Sequence, residues 1–511
     1  MPSYVIAHDV GTSSVKAALI HRSGTVAATA EEPYPIHQPR PGWVEQDPED
    51  YWRGVVATTR RVIEQSGIAP DDILGLVFTT QSMGIIPVDA KGKVLHPNIT
   101  WVDGRAQDQA RWMMRLFGGK ALFKRLVGIE ITGKDVLPKL IWLRQERPDI
   151  YRQTYKILDV NGYLRYRATG RMAIEWSGAC SYSFNLKKKD WNRLHFKMIR
   201  WDMSKMPDLI RSVDVAGTLT EESANALGLP QTVKVFGGCD DPQSAAIGSG
   251  SPGDGDAHIY LGTSAWVVVT TSQAPAFKNG AVCLQSADPN RNLVVGVTES
   301  AGANLQWLID RFFAREKQEL APDDLYTLLD REAETAPAGS DHLIFTPWML
   351  GERCPVATTT TRGTLFNLGH EHTRGHVVRA LAEGVAYNLR WIIDNYRRDF
   401  QFSISKLRVI GGGSQNRQWM QTLAEVTGCS VETTNQPKTA GAIGAAMCAF
   451  VGEGLFESFD DVHNIVQTSQ TFSPNTEHAD IYNKCFRDYQ NVYRDLSRTY
   501  KTANERRFNT P

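Results

Sequence analysis

The sequence of 511 residues predicts an α/β protein with two related domains that face each other. Short apolar strands alternate with amphipathic helices along both halves. A strand pair with Gly-Thr-Ser at its turn occurs near the start of each half, at Gly11 and at Gly262. The densest turn-forming stretch, GSGSPGDG, lies between them and ends at Gly255. We therefore expect an N-terminal domain over 1–252 and a C-terminal domain over 253–511.

The composition is that of an ordinary globular protein, with 42% apolar residues. The 56 basic and 56 acidic residues cancel, so no overall charge attracts nucleic acid or an anionic membrane. The seven cysteines are scattered without a CxxC pair, which predicts reduced thiols in a cytoplasmic protein. The sequence contains no signal-peptide pattern and no apolar run long enough to span a membrane. We expect a small-molecule ligand and neither nucleic acid nor membrane as partner.

The first half begins with three predicted strands, YVIAH, SVKAALIH and TVAATAEEPYP. Asp47 and Pro48 then open a helix as an acidic N-cap and a proline at the first helical position. Gly67 is a suitable C-cap for this helix. The nearly continuous apolar run LGLVFTTQS follows and predicts a strand buried in the sheet.

The second half repeats this pattern. AHIYLGTS and AWVVVTT form a predicted strand pair, and NLVVGVTE is a further strand. Thr373 can cap a long helix with an apolar stripe. KLRVIGGG predicts a strand that runs into a third glycine turn, and an amphipathic helix from about Ile481 to Leu496 closes the chain.

Three glycine turns are candidates for phosphate binding: DVGTSSVK, LGTSAW and VIGGGSQN. Such turns expose backbone N–H groups and short hydroxyls in a small concavity that suits an anion. One of them alone is weak evidence, because Gly-Thr-Ser also occurs in ordinary hairpins, but three suggest that two halves hold one nucleotide. Neither GxGxxG after a strand nor the P-loop pattern is present. Lys16 could add charge near a phosphate or be a solvated strand lysine.

The carboxylates near these turns could supply the remaining parts of a phosphoryl-transfer site. Asp9 could hold Mg2+, directly or through water, or be a local turn residue. Asp240 and Asp241 follow the strand VKVF and its glycine pair, where one could act as a base. They could equally be an N-cap and a solvated companion of the helix PQSAAIG. The string WVDGRA, with Trp101, suits a sugar, although a surface loop would look the same.

Taken together, these strings resemble the FGGY carbohydrate kinases over essentially the full length, and the xylulokinase branch most of all. The resemblance rests on strings in the expected order: DVGTSSVK, GWVEQDPEDYW, WVDGRA, VLPKLIWLRQERPD, LGTSAW, TESAGANLQWLID, PWMLGERCP, RGTLFNLGHEHTRGHVVRALAEGVAY and VIGGGSQNRQWMQTLAEVTG. One departure is Asn367, where glycine is usual.

The resemblance implies two actin-like (RNase H-like) domains with ATP in the cleft between them, Mg2+, and a sugar bound mainly by the first domain. It assigns the catalytic base to Asp241, because Gly248 follows at the seven-residue spacing usual in the family. The implied ATP and phosphate contacts are Gly11, Thr12, Ser13, Thr263, Ser264, Gly302, Gly412, Gly413 and Asn416, to which the sequence itself adds Lys16 as a candidate. From the residue types we expect substrate contacts at Gln81, Met83, Trp101, Asp103, Arg105 and Asp241, with Asp9 at the metal. A homodimer is common in the family.

We therefore expect an ATP-dependent kinase for a terminal hydroxyl of a small, D-xylulose-like ketose or polyol. The alternatives are a kinase for glycerol, erythritol or a pentitol, a sugar- and ATP-binding regulator without turnover, and an actin- or chaperone-like nucleotide switch. Met83 and Pro242 replace a histidine and an asparagine that xylulokinases usually carry, which predicts weaker activity on D-xylulose. Asp103 would repel a carboxylate if it points inward, so a neutral acceptor is favoured.

Overall fold

Two mixed sheets of seven strands each form the centres of the two halves. The computed structural model describes residues 2–116, 118–127 and 129–504. Within these ranges, no helix has the length and apolar character needed to cross a membrane.

The elements of the first half are β1 (Tyr4–Val10), β2 (Ser14–His21), β3 (Val26–Pro33), β4 (Glu45–Gln46), α1 (Pro48–Ser66), β5 (Ile73–Thr80), β6 (Ile86–Val88), β7 (Asn98–Ile99), α2 (Gln107–Leu116), α3 (Lys120–Val127), α4 (Val136–Glu146), α5 (Pro148–Gln153), β8 (Lys156–Leu158), α6 (Val160–Thr169), β9 (Ala173–Glu175), α7 (Trp176–Ser181), β10 (Phe184–Asn185), β11 (Asp190–Trp191), α8 (Arg193–Met198), β12 (Asp208–Ile210), β13 (Val215–Thr218), α9 (Glu221–Leu227), β14 (Lys234–Phe236), β15 (Cys239–Asp240) and α10 (Asp241–Gly248). Those of the second half are β16 (Ala257–Leu261), β17 (Ala265–Thr271), β18 (Val282–Gln285), β19 (Asn292–Thr298), α11 (Gly302–Phe312), α12 (Ala314–Glu319), α13 (Pro322–Glu334), β20 (Ile344–Thr346), β21 (Thr364–Phe366), α14 (Arg374–Phe400), β22 (Lys406–Ile410), α15 (Arg417–Thr427), β23 (Ser430–Thr434), α16 (Ala440–Gly452), β24 (Thr468–Phe472) and α17 (Ala479–Asn504).

The two sheets share a central arrangement of strands and differ at their edges. In the first, β1 pairs antiparallel with β2 and parallel with β5, in the order β13-β14-β5-β1-β2-β3 with β15 beside β5. In the second, β16 pairs antiparallel with β17 and parallel with β22, in the order β18-β19-β17-β16-β22-β23-β24. The expected two α/β domains are therefore present, and both Gly-Thr-Ser turns join equivalent strands.

The sequence signals for α1 act as predicted. The Asp47 side chain accepts a hydrogen bond from the backbone N–H of Glu49, and Gly67 ends the helix in the left-handed conformation at φ 65°. This conformation favours glycine because it has no Cβ to clash with the following carbonyl.

The chain after β14 differs from the sequence expectation. The strand VKVF was expected to end at Gly237, but a further short strand, β15, follows the glycine pair and joins β5. A Cβ on Gly238 would lie 2.1 Å from the carbonyl oxygen of Phe78, and φ is 70° there. Only glycine lets the backbone pass this close to β5, which delivers Asp240 and Asp241 to the edge of the sheet.

Helix α16 belongs to the second half of the sequence but packs on the first sheet. Its Ile443, Met447 and Phe450 share one apolar cluster with Val5 of β1 and Val77 of β5. The helix also crosses α10 at very short range. The last residue of α10, Gly248, would bring a Cβ within 1.7 Å of the Ala440 carbonyl oxygen, and a Cβ on Gly444 would lie 1.9 Å from that of Ser244. Two glycines therefore permit this crossing.

Candidate active site

Asp241 and Asp9 lie near each other at the edge of the first sheet. Asp9 lies near the end of β1, and Asp241 is the first residue of α10. Burial raises the pKa of Asp241 well above its usual range, and the nearby carboxyls of Asp9 and Asp240 raise it further. Burial likewise raises the pKa of Asp9. The Oδ1 atom of Asp241 is buried and accepts no hydrogen bond from the described residues. The site therefore holds a free acceptor oxygen beside a second acid.

Asp240 faces a different environment from its neighbour. It is buried near Asp159 and Arg165, and its backbone N–H donates to the Ser177 hydroxyl at 3.1 Å. Burial, followed by the charge of Asp159, raises the pKa of Asp240 to about 7. It occupies the N-cap position of α10, but its side chain caps no N–H there. The two adjacent acids are thus distinct: Asp240 belongs to a buried polar network, and Asp241 lies with Asp9.

Side-chain hydrogen bonds fix the first Gly-Thr-Ser turn. Gln81 donates from Nε2 to the Gly11 carbonyl at 3.1 Å, and Tyr34 donates its hydroxyl to the same oxygen. The indole N–H of Trp101 donates to the Thr12 hydroxyl at 3.0 Å. The Ser13 side chain is exposed and makes no hydrogen bond with the described residues. This arrangement fixes the turn while leaving its outer surface open to an anion.

The amide of Gln81 has an engaged nitrogen and an oxygen without a partner among the described residues. Its Nε2 group also donates to Gln46 at 2.9 Å, so its donors are used within the protein. Its Oε1 atom is buried and has no partner among the described residues. For the substrate contact expected of Gln81, the structure therefore leaves an acceptor, Oε1, while Nε2 is engaged within the protein.

Asp103 and Arg105 pair with each other instead of facing a ligand. The Arg105 side chain donates from Nε to Asp103 Oδ1 at 2.9 Å and from Nη2 to Oδ2 at 2.7 Å, and both side chains are fully buried. The second oxygen also accepts the backbone N–H of Val44 at 2.5 Å. Asp103 therefore does not point a free charge inward. The repulsion of an acidic acceptor was expected only for an unpaired Asp103, and here Arg105 balances its charge.

Lys139 connects two of the predicted substrate segments. Its ammonium donates to the carbonyl of Met83 at 3.1 Å and to that of Thr100, just before Trp101, at 2.7 Å. The side chain is fully buried, and burial lowers its pKa to about 7. Met83 itself adopts a left-handed conformation with φ 63°. Lys139 lies in the string VLPKLIWLRQERPD, but nothing in its spacing singled it out as a residue beneath the site.

The second Gly-Thr-Ser turn packs on the start of α11. The backbone N–H of Gly302 donates to the Gly262 carbonyl at 2.8 Å, and that of Ala303 donates to the Thr263 carbonyl at 3.0 Å. A Cβ on Gly302 would lie 2.5 Å from the same Gly262 oxygen, so glycine is needed there. The hydroxyls of Thr263 and Ser264 make no hydrogen bond with the described part of the chain. They remain available to a phosphate.

This second turn lies near the acids of the first half. Tyr260, in β16, has its pKa raised by burial and then by the charges of Asp241 and Asp9. Its ring stacks on Trp266 with centroids 4.2 Å apart, and both pack against Ala245 of α10. Sequence reasoning missed Tyr260, because an aromatic residue in an apolar strand looks like ordinary core.

The third glycine turn is a short 3-10 helix from Gly412 to Gln415. A Cβ on Gly412 would meet nothing within 4 Å, whereas one on Gly413 would lie 2.6 Å from the Leu261 side chain. Asn416 caps α15 by accepting the Trp419 N–H at 2.6 Å, and its amide donates to Asp330 at 2.5 Å. Gly412 thus faces open space, while the Asn416 side chain is engaged within the protein.

Lys16 lies on β2 directly opposite Asp9. Its ammonium is half-exposed and lies 4.0 Å from Glu31. Its charge lowers the raised pKa of both Asp9 and Asp241. A lysine beside these acids fits a role near phosphate, although its position would also suit a solvated ion pair.

Both halves match descriptions of one family. The family description "FGGY family of carbohydrate kinases, N-terminal domain" matches residues 4–248, and "C-terminal domain" of the same family matches residues 257–453. A xylulose kinase of Bacillus subtilis (strain 168) is 29% identical, covering 98% of this chain and 99% of its own. A gluconokinase of the same organism is 25% identical, with 98% and 97% covered. The solved xylulose kinase from Rhodospirillum rubrum has a TM-score of 0.87 and 27% identity, with 97% and 99% covered.

Proposed function

The chain belongs to the FGGY family of carbohydrate kinases, and we propose that it phosphorylates a terminal hydroxyl of a small, D-xylulose-like ketose or polyol. As a sugar kinase it uses ATP as the phosphoryl donor. The observation that carries the proposal is the buried Oδ1 of Asp241, which has no hydrogen-bond partner in the described part of the chain. Asp241 lies near Asp9 and near Tyr260, the strand residue just before the second Gly-Thr-Ser turn.

In the proposed reaction, Asp241 accepts the proton of the acceptor hydroxyl as that oxygen attacks the γ-phosphate. The open hydroxyls of Ser13, Thr263 and Ser264 donate to the phosphate oxygens, together with N–H groups of the turns. The Oε1 atom of Gln81, which has no partner among the described residues, accepts a hydrogen bond from a hydroxyl of the sugar or polyol. The raised pKa of Asp241 means that the carboxyl must lose a proton before it can serve as a base.

Mg2+ is part of the proposal, and the residues fit it. Asp9 and Asp241 are two buried acids, and their shared repulsion favours a cation between or beside them. The described residues contain no group of three or more histidine, cysteine or acidic side chains that could enclose a metal. This suits Mg2+, which keeps several waters and uses one or two carboxylates with substrate phosphates. When bound, the ion would neutralise charge on the transferring phosphoryl group.

We also propose that the protein acts in the cytoplasm and as a homodimer. The cytoplasmic assignment is supported by the cysteines, all of which are free and six of which are buried. The dimer is supported by the resemblance to the family, and light scattering on the purified protein tests it.

The acceptor is tested with a coupled assay for ADP over D-xylulose, L-xylulose, D-ribulose, L-ribulose, D-arabinitol, xylitol, erythritol and glycerol. Gluconate belongs in the panel, because Asp103 no longer argues against an acidic acceptor and a gluconokinase is among the relatives. We expect ADP to form only when an acceptor is added, with a five-carbon compound preferred. ADP formation without any acceptor would favour a nucleotide switch, and ATP and sugar binding without ADP would favour a regulator.

A further inference from the structure

Arg353 extends from the second half towards the predicted sugar segment of the first. It lies between β20 and β21, and its guanidinium carbon is 5.9 Å from the centroid of the Trp101 ring. Its charge also reaches Asp135, at the start of α4, where it opposes the rise in pKa that burial causes. No sequence motif assigned Arg353 a role, although it lies in the string PWMLGERCP.

The backbone of Arg353 is fixed by the buried carboxyl of Glu352. Oε1 of Glu352 accepts the backbone N–H groups of Glu299 at 2.8 Å and of Arg353 at 2.9 Å. Oε2 accepts the amide of Asn388 at 2.7 Å. Both oxygens are thus engaged within the protein. Glu352 therefore holds the backbone of Arg353 in a fixed position.

Among the described residues, the side chain of Arg353 makes one ion pair. Its Nε donates to Glu299 Oε1 at 2.5 Å. Among the described residues, no hydrogen bond engages its two terminal amino groups, and the side chain is 37% exposed. A guanidinium presents five N–H donors in a planar fork, so most of this fork is free. Glu299 thereby fixes one edge of the guanidinium and does not engage its terminal amino groups.

The location of these free donors points to the acceptor. Trp101 lies beneath the guanidinium and donates to Thr12 at 3.0 Å, which places it next to the first phosphate turn. The residue before Trp101 is Thr100. Lys139 donates to the carbonyls of both Thr100 and Met83, so Trp101 is also close to the predicted sugar segment. Through Trp101, the guanidinium of Arg353 therefore lies close to both the first phosphate turn and the predicted sugar segment.

We propose that Arg353 binds the acceptor, and that the second half of the chain completes the acceptor pocket through it. The terminal amino groups donate to neighbouring oxygens of the acceptor, either two hydroxyl or carbonyl oxygens or a carboxylate. This inference rests on the proposed function and adds a contact from the opposite side of the cleft. An acceptor held in this way ties the two halves together around the site.

The test uses the full chain with Arg353→Gln and Arg353→Lys, and Arg315→Gln as the matched control. Arg315 also lies in the second half and pairs with a glutamate, but its side chain is 84% exposed on α12. We expect Arg353→Gln to raise the acceptor KM by about 10- to 100-fold, the worth of hydrogen bonds from a charged group. Arg353→Lys should fall between Arg353→Gln and the wild type, because it keeps the charge and loses the fork.

The KM for ATP separates binding of the acceptor from a structural effect. We expect it to change by less than about threefold, with an unchanged melting temperature, because the Arg353 side chain is 37% exposed and its partner Glu299 is also partly exposed, at 24%. An acceptor KM within twofold of the wild type in both variants would overturn the inference. Parallel losses for ATP and acceptor with a lower melting temperature would also overturn it. A wild-type protein without acceptor-dependent ADP formation would instead refute the proposed function itself.

Discussion

Replacing Asp241 with asparagine removes the proposed base while keeping the shape of the side chain. Oδ1 of Asp241 has no hydrogen-bond partner among the described residues, so the substitution deprives no existing donor of its acceptor at that atom. It also removes the repulsion from Asp9 and Asp240 that raises the pKa of this carboxyl. We therefore expect the free energy of unfolding to stay the same or rise. Turnover should fall by about 10²–10⁴-fold, the usual worth of a positioned base, or about 2.7–5.5 kcal/mol in the barrier.

The pH dependence provides a second signature. A base must be ionised to act, so kcat/KM should increase with pH through the pKa of Asp241 in the free enzyme. Burial and Asp9 raise that pKa, so the rise should occur above the value of about 3.9 for a free aspartate. Asp241→Asn should abolish this rise.

Asp240→Asn is the matched comparison, since it changes the neighbouring acid within its buried network. It should retain far more turnover than Asp241→Asn when both variants are saturated with ATP and acceptor. Near-native turnover in Asp241→Asn together with an inactive Asp240→Asn would refute the assignment of the base.

Three further predictions concern the whole enzyme. Solution scattering with acceptor and a non-hydrolysable ATP analogue should give a smaller radius of gyration than the free protein, because the proposed ATP contacts come from both halves; identical profiles with both ligands bound would count against closure. EDTA should abolish activity and Mg2+ restore it, while alkylation of accessible thiols leaves it intact, since only Cys180 is partly exposed; inhibition by a zinc-selective chelator would contradict this. Gly248→Ala should lower the unfolding free energy by about 1–3 kcal/mol in denaturant titrations, because its Cβ would lie 1.7 Å from the Ala440 carbonyl oxygen; wild-type stability would show that the helices can separate.

Local signals predicted most of the central elements. The strands around Gly11 and Gly262 and the capped helix α1 lie where the apolar pattern, Asp47 and Gly67 placed them. These predictions succeed because hydrophobic periodicity and capping act over a few residues. The pairing of β15 with β5 was missed, because it depends on the close approach of Gly238 to the carbonyl of Phe78, which is far away in sequence.

The site was predictable as a set of motifs but not as a set of contacts. The turns and Asp241 were identifiable, whereas their free and occupied atoms were not. Asp103 has the appearance of a ligand in WVDGRA, yet Arg105 occupies both of its oxygens. Lys139 and Arg353 reach the site from distant segments, and a single sequence carries no information about which carbonyls or rings they meet. Long-range pairing of polar groups is therefore the part that required the structure.

The packing of α16 on the first sheet has a consequence for biosynthesis. Because a chain leaves the ribosome from its N-terminus, β1 and β5 emerge long before Ile443, Met447 and Phe450 are made. Until then, the face of the sheet that carries Val5 and Val77 lacks its cover. The nascent first half therefore exposes apolar surface for most of translation, a state in which chaperone binding or aggregation competes with folding. Expression of 1–252 alone would make that transient state permanent, so the two halves are best produced as one chain.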